Sequence, residues 1–438
     1  MDNITHSLAG LLLADAAVQL RTRNPSAIDG SGRGSFATVA AITAVVGANL
    51  PDSDVLWIAA LQSLGRLDEL GALLHHRGYT HTFLAALIWI PLLSGAAIAG
   101  LRRSAVNALT YSTDIRRLIL LSSVAVLSHI LLDATNDYGV HPLSPFSQQW
   151  LYGDSVFIIE PWLWVMAIPA LLRNTACRTT RIALMTLLAI GIGLSWAVPQ
   201  VPAAAAVTVT LGAAVWLTLA PRRTPAVAVG AGIGGWMAVT GCFALGTGLA
   251  RSHVRREAPF DQATGAGRRD TFALRDLIVS ASPANPLCAR VITIDASAER
   301  YRLTTAWASA APTLLSAAWC ARAAHADTTA GAQHLSMRRA TAPVSAAVHW
   351  GWTWDVPRAE LVALARSGCD VAGWLRFARA PFWTAHGADS VAVGDLRYDR
   401  DRGVSVARFT FARQSAHCAV TPPSWLPPRR DVWPELEM

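Results

Sequence analysis

Eight apolar stretches, near 4–20, 37–61, 82–101, 118–133, 155–172, 182–198, 203–219 and 226–249, occupy most of the first 250 residues. Most reach the roughly 17–25 residues that a helix needs to cross a hydrocarbon core about 30 Å thick. The first and fourth are shorter and carry ionisable residues. Inside a bilayer no water is present to satisfy the backbone, so each stretch must bond internally, and helices are the economical solution. Only 15% of the chain is charged and 53% is hydrophobic, against about 25% charged in ordinary soluble domains. The character then changes: residues 1–250 carry 14 Arg and 12 Asp/Glu, and residues 251–438 carry 23 Arg and 17 Asp/Glu. The expected fold class is an all-α polytopic membrane bundle of about eight transmembrane helices (1–250) followed by a small α+β soluble domain (251–438).

The Arg residues orient the bundle. The links after the first, third, fifth and seventh stretches hold twelve of them, from Arg21, Arg23 and Arg33 to Arg222 and Arg223, against Asp29 and Asp114. The opposite links hold only Arg66 and Arg77. The positive-inside rule puts the Arg-rich links in the cytoplasm. Eight spans then leave both termini and the soluble domain outside; if Pro199 and Pro202 only kink one span, that domain moves to the cytoplasm. Asp2, His6 and Asp15 in the opening segment argue against a cleaved signal peptide. The net charge of +8 is spread along the chain with no nucleic-acid-binding motif, so no nucleic-acid partner is expected; the partner is the lipid bilayer.

The polar residues gather on the face opposite the Arg-rich links. Thr5-His6 opens the first stretch, Pro51-Asp52-Ser53-Asp54 interrupts the second, and His75-His76-Arg77-Gly78-Tyr79-Thr80-His81 leads into the third. His129 and Asp133 close the fourth four residues apart, and Glu160-Pro161 starts the fifth. Residues i and i+4 share a helix face, so His129 and Asp133 are able to hold one ion. Imidazole with carboxylate suits Zn²⁺, Mn²⁺ or Fe²⁺ better than Ca²⁺. Pro51 ends the helix and lets Asp52 and Asp54 turn inward, and Thr5 and Thr80 are candidate N-caps. Taken singly, each has an ordinary explanation: a solvated interface His, a wet loop, a chance His-x-x-x-Asp. Together, ionisable groups in apolar segments point to function. The candidate metal ligands are His6, Asp52, His76, His81, His129, Asp133 and Glu160, with His81, His129 and Asp133 first. One or two divalent ions are expected, zinc before manganese or iron. Asp54 and Arg77 are the candidate catalytic residues, one as proton acceptor and the other as a stabiliser of negative charge on a phosphoryl or acyl oxygen.

Met1-Asp2-Asn3-Ile4-Thr5-His6, Pro51-Asp52-Ser53-Asp54, His76-Arg77-Gly78-Tyr79-Thr80-His81 and Ser128-His129-Ile130-Leu131-Leu132-Asp133, with Tyr138-Gly139-Val140 and Pro145-Phe146-Ser147, resemble the YdjM-like family of bacterial inner-membrane metal-dependent hydrolases. The match covers residues 1 to about 165. Ser282-Pro283-Ala284-Asn285-Pro286 and Gly394-Asp395-Leu396-Arg397-Tyr398 look, more faintly, like segments of that family's longer members. A more distant similarity, in the order His, Asp, His, His-x-x-x-Asp, is to zinc-dependent phospholipase C. The N-terminal Trp of those enzymes is missing, and only His141 and Glu160 could replace their later histidines. The resemblance implies a multi-pass inner-membrane protein and metal-dependent hydrolysis, of a phosphoester or lipid-linked substrate if the site faces the membrane surface. The alternatives are a transporter using the His/Asp cluster as a proton relay and a non-catalytic scaffold pinned by metal.

In the tail, Ala289–Asp295, Tyr301–Trp307, Ser390–Tyr398 and Val404–Ala412 read as strands, the last pair joined by a turn at Asp399-Arg400-Asp401-Arg402-Gly403. Residues 358–379 read as helix, broken at Gly368. Cys288, Cys320, Cys369 and Cys418 allow up to two disulfides in an oxidising compartment. Trp350, Trp352, Trp354, Trp374 and Trp383 read as core or interface anchors.

Overall fold

The structure is a computed structural model and describes residues 1–22, 32–103, 108–147, 149–257, 261–263, 269–324, 337–340, 345–387, 389–398, 408–412 and 423. It divides into two compact units: Met1–Ser53, Tyr79–Ala244 and Pro283–Asn285 form one, and Asp54–Gly78, Leu245–Ser282 and Pro286–Met438 form the other.

The first unit is helical. It contains α1 (Asn3–Thr22), α2 (Gly32–Asn49), α5 (Phe83–Arg103), α6 (Ala108–Asp133), α7 (Pro161–Asn174), α8 (Arg178–Ala197), α9 (Ala203–Leu219) and most of α10 (Pro225–Glu257). Two 3₁₀ turns, Pro51–Ser53 and Tyr79–His81, complete it on either side of the excursion into the second unit. Each predicted apolar stretch therefore falls on a helix. Among the described residues five helices are long and apolar enough to cross a membrane, or six if Phe36–Asn49 and Pro51–Ser63 count as one broken span. Helix α7 does not qualify: its 14 residues reach only about 21 Å, and ten of them, from Pro161 to Leu172, are buried. It is a core helix, packed against α1, α8 and α9.

Small residues bring the first helices together. A Cβ on Gly10 would sit 2.6 Å from the Ala44 carbonyl oxygen, so only glycine permits this approach of α1 to α2. Around that contact Ala14, Phe36, Ala40, Ala44, Ala97, Leu101, Leu118, Leu121 and Ala125 form one core shared by α1, α2, α5 and α6. The remaining α5–α6 seam is closed by Ala86, Leu93, Val126 and Ile130.

The second unit contains α3 (Asp54–Ser63), α4 (Glu69–His75), the end of α10, and the C-terminal domain. Ala250 and Val254 of α10 pack on a five-stranded antiparallel sheet through Leu277, Val279, Val291, Ala306 and Trp350. Its strands are β3 (Ala273–Ser282), β4 (Asn285–Ala296), β5 (Arg300–Ser309), β6 (Arg338–Arg339) and β7 (Val348–Pro357), in the order β3-β4-β5-β7-β6. Strands β4 and β5 pair from Cys288↔Ser309 to Ala296↔Tyr301, and β5–β7 carries a register shift at Thr304/Ala306. A second sheet orders as β10-β9-β8, from β8 (Pro381–Ala385), β9 (Ser390–Asp395) and β10 (Phe409–Ala412). A short pair, β1 (Asp261–Ala263) and β2 (Arg269–Thr271), precedes them.

Helix α11 (Ala317–Ala323) is fixed to β4 by the Cys288–Cys320 disulfide. Cys369 is also disulfide-bonded, and Cys418 lies outside the described residues. The predicted helical stretch 358–379 is two helices, α12 (Arg358–Arg366) and α13 (Cys369–Phe377), broken at Gly368; α4 packs on α13. The predicted turn 399–403 lies outside the described residues, although the strands it would join, β9 and β10, do pair. Trp374 is fully buried and Trp354 meets Trp383 edge-on at 4.8 Å, as core residues do. Within the Gly394–Tyr398 motif, Asp395 accepts from the backbone N–H groups of Arg379 and Arg397 and from the Arg397 guanidinium. Burial alone would raise this carboxyl, but Arg397 and those amides outweigh it and hold it below the usual carboxylate range. Arg379 in turn grips Asp276 of β3 through two nitrogens, so the motif clamps one sheet to the other.

Candidate metal centre

Four segments of the first unit meet at one end of the bundle. His129 and Asp133 lie on the last turns of α6, Asp52 on the 3₁₀ turn after α2, and His81 on the 3₁₀ turn before α5. Pro51, lacking a backbone N–H, sits where α2 gives way to the tighter turn, and this carries Asp52 inward. Asp52, His81, His129 and Asp133 each offer one ligand atom, and these atoms all lie within 4.8 Å of one another. His81 Nε2 is 3.2 Å from Asp52 Oδ1 and 3.3 Å from Asp133 Oδ2. His129 Nε2 is 3.5 Å from each of those oxygens and 3.2 Å from His81 Nε2. Four donors bound at 2.0–2.2 Å in a tetrahedron lie about 3.3–3.6 Å apart, so these separations are those of a coordination polyhedron.

The surrounding groups set the direction of the lone pairs. His129 Nδ1 lies 2.6 Å from the Ala48 carbonyl oxygen. Ala48 is in the last turn of α2, where carbonyls have no partner within their own helix. A carbonyl only accepts, so Nδ1 carries the proton and the Nε2 lone pair points into the cluster, as in metal sites whose histidines are oriented from behind. His81 Nδ1 is 3.0 Å from Thr80 Oγ1. His6, His81, His129 and Asp133 are fully buried. Two carboxylates and two neutral imidazoles leave two negative charges to be balanced, which fits a divalent cation.

Asp133 also faces a second direction. Its Oδ1 contacts the Met1 amino group and lies 3.3 Å from His6 Nε2, while the His6 ring stacks on His129 at 3.8 Å. His6 is held from the side by Thr5, whose hydroxyl accepts from Trp164 Nε1 at 2.9 Å.

Some of the predicted site residues lie elsewhere. Glu160 is not a ligand: one carboxylate oxygen caps α7 by accepting from Trp162 N at 3.2 Å, and the other accepts from Ala284 N at 3.0 Å. Both oxygens are thus engaged by backbone amides. The Ala284 carbonyl accepts from Trp162 Nε1, so the Ser282–Pro286 motif is a structural latch of the first unit around residue 284. His141 stacks on Trp150 at 4.7 Å and belongs to no donor group. Asp54, His76 and Arg77 are in the second unit. There Asp54 Oδ2 accepts from Arg77 N at 2.8 Å and lies 3.4 Å from His76 Nδ1, and Arg77 has φ 58° just before Gly78. The two threonine caps are corrected as well. Asp2 caps α1 by accepting from Thr5 N, and Thr82 caps α5 by accepting from Ala85 N; each helix begins where a side-chain oxygen reaches the amide three residues on. The Ala48 carbonyl was missed because a main-chain acceptor leaves no trace in residue type.

The opposite end of α1 and α6 is also buried and charged. Arg21 Nε donates to both Asp114 oxygens at 3.1 and 3.0 Å, Arg117 Nη1 donates to Oδ1 at 3.0 Å, and the Arg21 guanidinium lies over Phe36.

Residues 1–204 match the family model described as YdjM inner membrane protein. The motif resemblance therefore holds over that stretch, which contains every donor of the cluster, and the protein is a multi-pass membrane protein. The curated protein YfhP of Bacillus subtilis, described as uncharacterized, is 26% identical over 172 residues, 39% of this chain and 45% of that protein. The match thus spans less than half of the relative's length. No solved structure matches the chain.

Proposed function

We propose that Asp52, His81, His129 and Asp133 hold a divalent metal ion, zinc before manganese or iron, in a membrane-bound hydrolase acting on a phosphoester or lipid-linked substrate. The observation that carries this reading is the cluster itself: four convergent donors at coordination separations, two of them carboxylates, with one histidine fixed from behind by Ala48. A bound divalent ion acts as a Lewis acid and lowers the pKa of its water from about 16 towards about 7. The chain's own residues hold and orient the site: Asp133 presents one oxygen to His81 and His129 and its other to His6, the position for a second ion, and Asp52 completes the donor set from the opposite side. Asp54 and Arg77 keep, as proposals, the roles of proton acceptor and stabiliser of developing negative charge.

The finer topology belongs to the same proposal. Eight membrane-inserted helices with twelve Arg on the links of one side would put the metal centre and the C-terminal domain outside the cytoplasm. The Cys288–Cys320 disulfide supports that side, since disulfides persist in oxidising compartments.

The test is turnover by the full chain in detergent against phosphomonoester, phosphodiester and phospholipid substrates. Metal-dependent product formation by the native protein, abolished in His129→Ala/Asp133→Ala and sharply reduced in Asp54→Asn with metal retained, is the expected result. Metal bound at full occupancy, with no product from any of these classes and the fold lost on chelation, would instead identify a structural metal. Flux across sealed vesicles without product would identify a transporter.

A further inference from the structure

The turn that follows α6 carries two large apolar side chains outward. Leu143 is 52% exposed and Phe146 is 87% exposed, whereas His141, Pro142 and Ser144 between and beside them are buried. The turn is built to hold that arrangement. Ser144 N donates to His141 O, Phe146 N and Ser147 N both donate to Leu143 O, and Phe83 N at the start of α5 donates to Pro142 O. The His141 ring beneath is stacked on Trp150. A single exposed apolar residue needs no explanation, but a hydrogen-bonded turn that buries its polar members and displays its apolar ones does.

Its position identifies the partner. Phe83–Arg103 and Ser112–Asp133 are both candidate membrane spans, and the turn is tied to the start of the first and follows the end of the second. Their outer faces are apolar up to this level: Leu84, Leu87 and Ile88 on α5 and Leu131 on α6 are exposed. Tyr79, 57% exposed on the 3₁₀ turn before α5, stands at the same end, and aromatic rings of that kind prefer the boundary between headgroups and acyl chains.

We propose that the Leu143–Phe146 turn is an interfacial anchor that seats in the headgroup–acyl boundary of the bilayer and holds the His81/His129/Asp133 end of the bundle at the membrane surface. This goes beyond the hydrolase reading and does not depend on any reaction at the cluster.

The experiment uses the full chain with Phe146→Cys in a Cys177→Ser/Cys242→Ser background, because Cys177 and Cys242 are the exposed free thiols among the described residues. The protein is labelled without reductant with an environment-sensitive fluorophore and placed in phosphatidylcholine vesicles. The parent with Phe146 retained sets the labelling background, and an Arg178→Cys label on the opposite end of the bundle provides a second reference. The expected result is blue-shifted emission and a several-fold loss of fluorescence with lipids spin-labelled near the headgroup, together with protection from iodide. Water-like emission quenched by iodide would overturn the proposal. So would blue-shifted emission untouched by spin-labelled lipid, which would mean that protein, not lipid, covers the turn.

Discussion

Helices α1 and α6 are joined at both ends by buried charge, and the two ends are built on different rules. At one end Asp114 is surrounded by Arg21 and Arg117, so a carboxylate is neutralised by cations the chain itself supplies. At the other, 19 residues along α6 and about 28 Å away, Asp133 meets His6, His81, His129 and a second carboxylate, Asp52. No arginine enters that group. A buried carboxylate needs a compensating charge or hydrogen bonds. The first end is complete as a protein structure; the second assembles donor atoms around a place for a cation. The same pair of helices thus shows what this chain does when charge is only structural and what it does when a charge is to be bound.

This contrast is open to attack, beginning with the largest effect. Asp133→Asn removes the carboxylate shared by both sides of the cluster and is expected to abolish stoichiometric metal binding, as measured by elemental analysis, while leaving a helical membrane protein by circular dichroism. Asp114→Ala should do the reverse. It strands Arg21 in a buried site and is expected to cost about 3–5 kcal/mol of stability, read as a large fall in thermal midpoint, with metal content per folded molecule unchanged. Chelation of the native protein should then lower stability by about 3 kcal/mol if the ion had been present near a hundred times its dissociation constant; Asp133→Asn should not respond to the chelator. Acidification should strip metal from the native protein, because protons and metal compete for the same imidazole lone pairs, and the arginine end has no comparable group. Finally, Gly10→Ala should cost about 1–3 kcal/mol by forcing α1 from α2 at Ala44, weakening both ends alike. An equal loss of metal in Gly10→Ala and Asp133→Asn would mean that the cluster merely reports on packing.

The sequence carried the elements whose signal is local. His129 and Asp133 were legible because helical spacing puts them on one face, and every apolar stretch became a helix because a bilayer leaves few other choices. What it could not carry was pairing across elements. Asp52 and Asp54 are equivalent to a reader of residue types; the structure gives Asp52 to the donor cluster and engages Asp54 with the Arg77 amide. Glu160 looked like a ligand and is a cap, since an acidic residue before Pro161 fits both roles until a second amide, that of Ala284, is seen on it. Asp114 and Arg21 read as link charges, and only the packing of α1 along α6 shows that they meet. In the C-terminal domain the alternating strands β4, β5 and β9 were visible, whereas β7 was not: Gly351 and the register shift opposite it interrupt the period of two. Similarly, α7 looked like a span by hydropathy, and its length and burial make it a core helix.

The central claim is that one end of the α1–α6 pair is a metal centre. The most direct test is elemental analysis of the full chain purified in detergent, native against His129→Ala/Asp133→Ala. About one or two equivalents of zinc, manganese or iron in the native protein and none in the double variant is the predicted result. A metal-free native protein that takes up neither Zn²⁺ nor Mn²⁺ when they are supplied would contradict it.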